Sequence, residues 1–231
     1  RQTIFSQKGD FLAVGLLIIG TGILFLIAGS YRKVLLDHTD HLAIVTCSMI
    51  AFWTGGFTLF YGTRALRAAA FPLLFLLFAV PIPNVALLWI ISILQAGSAE
   101  VSYRLLQATG MPIARDGFVF HLSKLDVEVA PQCSGIRSSL SLIITGVLAA
   151  YFFLRTGLAR TFLMVSIVPI AILKNGVRIA VLSSLAIYWD EKIFASDLHR
   201  KGGLVFFILA LLLTGAVIVL LRKIESRKSA R

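Results

Sequence analysis

The sequence predicts an all-α fold: a polytopic integral membrane helix bundle of about six spans plus a short re-entrant or interfacial piece. Three observations carry this reading. Of the 231 residues, 58% are hydrophobic and only 14% charged, far from the balance of a water-soluble domain. The charges cluster between apolar runs long enough to cross a bilayer. Glycines and prolines interrupt those runs, yet no alternation of apolar and polar residues marks a transmembrane barrel. With lipid as solvent, the backbone must satisfy its own hydrogen bonds inside helices. The chain reads as one membrane domain, residues 1–231, whose last stretch, residues 222–231, is a basic tail.

Each element follows from its apolar run. Residues 11–30 form the first span, being too long for a signal-peptide core and lacking a convincing cleavage site. Residues 42–61 form the second. Residues 71–107 divide in two. FPLLFLLFAVPIPN is short and closes on Pro81 and Pro83, whereas the stretch from Val85 is long enough to span. That stretch ends with Glu100 and Arg104 at the i,i+4 spacing of a helical ion pair. Residues 135–154, 161–187 and 203–221 supply three further spans. The chain starts at Arg1 without Met, so additional helices are expected upstream.

The net charge of +11 does not point to nucleic acid, because the cations are scattered over short loops and the tail, as positive-inside orientation requires. Arg222, Lys223, Arg227, Lys228 and Arg231 make the tail cytoplasmic. Counting back, the loop with His199 is outside, Arg155 and Arg160 are inside, and residues 111–132 are outside. Arg64 and Arg67 also read as inside. Residues 71–107 must then cross an odd number of times, which favours one short piece and one full span.

Three residues fall at the same depth near the outer face. Cys133 opens a helix beside Ser134, Gly135 and Arg137, where the helix dipole, free N–H groups and a cation favour a thiolate; the plain alternative is a small packing residue. Arg178 lies roughly 18 residues into its span, about 27 Å along the axis, and an intramembrane guanidinium has to face a polar interior. It is a candidate oxyanion donor, or one half of an ion pair with Glu100. Lys174 shares its helix face, and Asn175 is placed to orient either group or to bridge helices. His199, before Gly202 and Gly203, is a solvated loop residue or, with a thiol on the same face, an acid/base or oxyanion group. His38, His41 and His121 lack comparable context. Two cysteines are too few for a disulfide scaffold, and Cys47 reads as packing. No HExxH or CxxC spacing supports a metal, and no cofactor is expected.

The blocks FPLLFLLFAVPIP, VEVAPQCSGIRSS, NGVRIA and LHRKGG, in this order among these spans, resemble the exosortase/archaeosortase family from Arg64 to Leu221. The first two spans match in character only. The resemblance implies a membrane-embedded cysteine transpeptidase or protease of the inner membrane, with its active site at the outer face. Its substrates would be exported proteins whose C-terminal sorting signal combines a short motif, one transmembrane helix and a basic tail. By the same resemblance Cys133 is the acyl-thioester nucleophile, Arg178 the proton donor or carbonyl-polarising group, and His199 the third, transition-state-stabilising member. Arg137 and Asn175 match motif positions without an assigned role. The lipid bilayer and exopolysaccharide machinery are the other implied partners. The competing reading is a non-enzymatic transporter or a polysaccharide-assembly component, in which Arg178 and Lys174 line a polar path.

Overall fold

The computed structural model describes residues 12–31, 37–123, 125–189 and 203–229. His199 and the loop around it lie outside the described residues. Among the described residues, six helices are long and apolar enough to cross a membrane, and a seventh apolar segment is shorter. The chain divides into two units, Arg1–Leu88 and Trp89–Arg231, and each is described by itself.

The first unit is built on a helical hairpin, α1 (Leu12–Tyr31) and α2 (His38–Ala68). Gly15, Gly22 and Gly29 recur every seven residues and are the buried positions of α1. A Cβ at Gly15 would lie 2.5 Å from Leu59, at Gly22 3.1 Å from the Ser48 carbonyl, and at Gly29 2.8 Å from Ile44. The three contacts run backwards along α2, as antiparallel neighbours must. Without side chains along this seam the two backbones approach closely, which is how helices associate where lipid removes the hydrophobic drive.

The predicted end of the second span, Tyr61, is followed at once by Gly62, whose φ of 82° breaks the helical path inside α2. The chain then makes α3 (Ala70–Phe75), a 3₁₀ turn over Leu76–Ala79, and an extended Val80 before the prolines. At about 1.5–2 Å per residue this piece is too short to cross, in agreement with the short element expected there. Two aspartates hold the start of α4 (Asn84–Ala108): Asp40 Oδ1 accepts from the Asn84 N–H at 2.7 Å, and Asp37 Oδ2 accepts from Asn84 Nδ2 at 2.6 Å. Asp37 also caps α2 by accepting from the Thr39 N–H. The Asn84 amide, with the Thr39 and His38 N–H groups, holds its carboxyl below the ordinary range.

The second unit contains most of α4, then α5 (Ile136–Phe153), α6 (Gly157–Tyr188) and α7 (Gly203–Ser229). Between α4 and α5 stands an element absent from the sequence reading: an antiparallel meander of β1 (Ile113–Asp116), β2 (Val119–Leu122) and β3 (Asp126–Glu128). Asp116-Gly117 makes the first turn, with Gly117 at φ 56°, the left-handed value that a tight hairpin needs. Phe120, Leu122, Val127 and Val129 then pack on Leu106, Ile179 and Ile187. Further along the helices, Leu142, Ile167 and Ala171 pack with Leu94 and Ala210, and Ala150, Leu154 and Leu163 form a third cluster.

These clusters show α5 and α6 running antiparallel. Their short turn is tied to the far end of α7, where Glu225 accepts from the Arg155 and Thr156 N–H groups at 3.2 and 2.7 Å and from Thr156 Oγ1 at 2.6 Å. The start of α5 and the late part of α6 therefore meet at the opposite end, beneath the meander. α6, with 32 residues, is about 48 Å long.

Candidate active site

Cys133 lies in a 3₁₀ turn, Pro131–Ser134, between β3 and α5. Proline opens the turn because its fixed φ and missing N–H suit a first position. The Cys133 N–H donates to the Ala130 carbonyl at 2.8 Å. Gly135 ends the turn at φ 74° and serves as N-cap of α5. Only glycine takes this conformation without strain, and a Cβ there would also stand 2.9 Å from Asn175 Oδ1. The thiol is thus presented at a helix start, as expected from the sequence.

Asn175 of α6 is the brace behind that turn. It is 1% exposed, and its Nδ2 donates to the Cys133 carbonyl at 2.7 Å and to Ser98 Oγ on α4 at 3.1 Å. One amide group links three elements at Cys133. Gly176, next to it, lets α6 close on α4: a Cβ there would lie 2.5 Å from Val101. From α4, Gln95 Nε2 donates to the Val129 carbonyl at 2.6 Å and fixes the strand that leads into the turn.

Arg178 sits one helical turn beyond Lys174 and is half-buried. Cys133 and Arg178 line one small cleft, of about 30 Å³, with Val127, Glu128, Val129, Asn175, Ile179 and Leu182. Thiol and guanidinium, drawn from distant segments, thus line the same cleft. The third candidate, His199, lies outside the described residues. Lys174 does not snorkel: it is 2% exposed and its Nζ donates to Ser138 Oγ on α5. Glu100 forms the expected pair with Arg104 at 2.6 Å and adds Arg115 of β1 at 2.8 Å, so its two oxygens are engaged there rather than reserved for Arg178. Arg137 is exposed, and both Cys47 and Cys133 are free thiols.

Two contributors to the cleft were missed in the sequence. Glu128 enters because β3 runs along its wall, and Gln95 because the meander folds back on α4. The Asp-Gly turn with alternating residues on either side was the available signal for the first; nothing local announced the second.

Residues 2–216 match the family model described as transmembrane exosortase. No curated protein and no solved structure matches the chain.

Proposed function

The chain belongs to the transmembrane exosortase family, and from that premise we propose that it is a cysteine transpeptidase or peptidase that cleaves C-terminal sorting signals of exported proteins. Membership supports a membrane-embedded sorting-enzyme role; the observation that carries the finer reading is the cleft shared by Cys133 and Arg178.

The Cys133 thiolate attacks the carbonyl carbon of the scissile peptide and forms a C–S bond. The carbonyl electrons move onto oxygen, and the planar guanidinium of Arg178 donates to that oxyanion. Collapse breaks the C–N bond, and the departing amine takes a proton from solvent water at the open cleft as it leaves with the transmembrane helix and basic tail. An amine or water then attacks the thioester and frees the thiol. His199 completes the set as a transition-state stabiliser; α7 begins at Gly203, just after it in sequence. The site faces the outside of the inner membrane, where a motif emerges above its own helix, and the basic tails of enzyme and substrate stay in the cytoplasm. The buried bond from Lys174 to Ser138 joins α6 to α5 and favours this reading over a polar transport path.

The test is cleavage, in membranes, of a co-encoded exported protein ending in motif, helix and basic tail. Cys133→Ser is expected to abolish processing, since a hydroxyl without a strong base is scarcely ionised. Arg178→Lys is expected to cripple it, because an ammonium is a point charge without the planar fork. Near-normal processing by Cys133→Ser would end the thioester mechanism, and no processing by the parent chain would favour transport or assembly as the function.

A further inference from the structure

One wall of the cleft plays no part in the chemistry above. β3 is an outer strand of the meander, and Val127, Glu128 and Val129 line the cleft that holds Cys133 and Arg178. The register decides which of its backbone groups are already engaged. The Val129 N–H donates to the Phe118 carbonyl at 2.9 Å and the Leu122 N–H to the Leu125 carbonyl at 3.1 Å. With Phe120 opposite Val127, the hydrogen-bonded pairs of the ladder fall at residues 125, 127 and 129. The N–H and C=O groups of Asp126 and Glu128 therefore point away from β2, and among the described residues no strand pairs with that side.

Resting on the proposed peptidase reading, we propose that β3 is the substrate's docking edge. The extended segment of the exported protein, just before its C-terminal helix, adds to the meander as a fourth strand along Asp126 and Glu128. Main-chain pairing of this kind supplies affinity without demanding a particular side-chain sequence. It also delivers what the chemistry needs, an extended peptide whose carbonyl lies beside the thiol. The other edge of the sheet, β1, is not among the walls of the cleft, and its Arg115 is held by Glu100 and stacked over Tyr103. β3 instead continues through Pro131 into the turn that carries Cys133. Its far end is pinned by Gln95 at Val129 and by Asn175 at the Cys133 carbonyl. The edge is thus rigid relative to the nucleophile. The exposed Glu128 carboxylate beside Arg178 gives the docked strand one anionic and one cationic neighbour.

Two experiments test this, both on the full chain in proteoliposomes, with a co-encoded exported protein of the motif, helix and basic-tail type as probe. Glu128→Pro removes one outward N–H and sets a ring on the edge, while the ladder bonds of Val127 to β2 remain. It should raise KM at least about tenfold with little change in kcat, and alkylation of Cys133 by a small thiol reagent should be unchanged. In the second experiment the enzyme is unaltered and single N-methyl groups are scanned through the probe segment before its helix. Losses should alternate with a period of two residues. A parental KM for Glu128→Pro, a loss confined to kcat, or N-methyl losses without that alternation would each overturn the docking edge. If Glu128→Pro also loses alkylation, the N-methyl scan alone decides. Failure of the peptidase reading shows separately, as absence of cleavage of the probe by the parent chain in the same proteoliposomes.

Discussion

Gly135 links the sequence motif to the shape of the site. It stands between the Cys133 turn and α5 in a left-handed conformation, with Asn175 against the space where a side chain would be. Gly135→Ala should therefore cost about 1–2 kcal/mol in backbone strain and push Asn175 off the Cys133 carbonyl. The expected result is a folded protein whose Cys133 alkylates more slowly and processes substrate at least several-fold less well. Equal rates for parent and variant would show that the turn tolerates a shift. At this scale Cys133 and Arg178 were legible in the sequence because a thiol at a helix start and a cation inside an apolar run are each conspicuous alone. The bond from Asn175 to a main-chain carbonyl was not, because it depends on how α6 lies against α5.

At the scale of elements, small residues set the helix spacing. Gly176→Val would thrust a branched side chain into Val101 and the Ser98 carbonyl, both within 3.2 Å of the added Cβ. Overpacking of this kind costs about 1–3 kcal/mol, measurable as a lowered thermal midpoint in detergent. Asp37 offers a pH-dependent counterpart. Its carboxyl is held below the ordinary range by Asn84 and by two N–H groups of α2, so its folded-state value lies under the unfolded one. The stability it adds is present above the ordinary carboxylate range and is lost as pH falls through the lowered value. The gap in thermal midpoint between the parent and Asp37→Ala should shrink steadily on acidification below about pH 4; a constant gap would place the cap's contribution elsewhere. The spans were readable because each is a predominantly apolar run of membrane-crossing length; the break at Gly62, just after the expected end at Tyr61, was not read from the sequence. The meander was not: its strands are three or four residues long, too short for alternation to stand out beside membrane helices. Only the Asp-Gly pair marked it.

For the whole molecule, the proposed orientation makes opposite demands on the two ends of the second unit. His121, exposed on β2, belongs to the meander end; Arg155, in the turn tied by Glu225, belongs to the other. In a Cys47→Ala, Cys133→Ala background, His121→Cys should react with an impermeant thiol reagent from outside, and Arg155→Cys only after the inner membrane is opened. The reverse pattern would turn the site toward the cytoplasm and remove the sorting function.

The length of α6 has one more consequence. Its roughly 48 Å exceed a hydrocarbon core of about 30 Å, so the helix must tilt, kink at Pro169 or extend beyond the core. Arg178 lies ten residues before the last residue of α6, Tyr188, about 15 Å along the axis. The depth of its guanidinium therefore depends on the chain length of the surrounding lipids. Longer acyl chains would draw the cation toward hydrocarbon and shorter ones lift it toward water, and the Cys133 turn, tied to α6 through Asn175, would travel with it. On the proposed reading, the candidate pair is in this sense a gauge of membrane thickness, and the processing rate is expected to change with the acyl-chain length of the surrounding lipids.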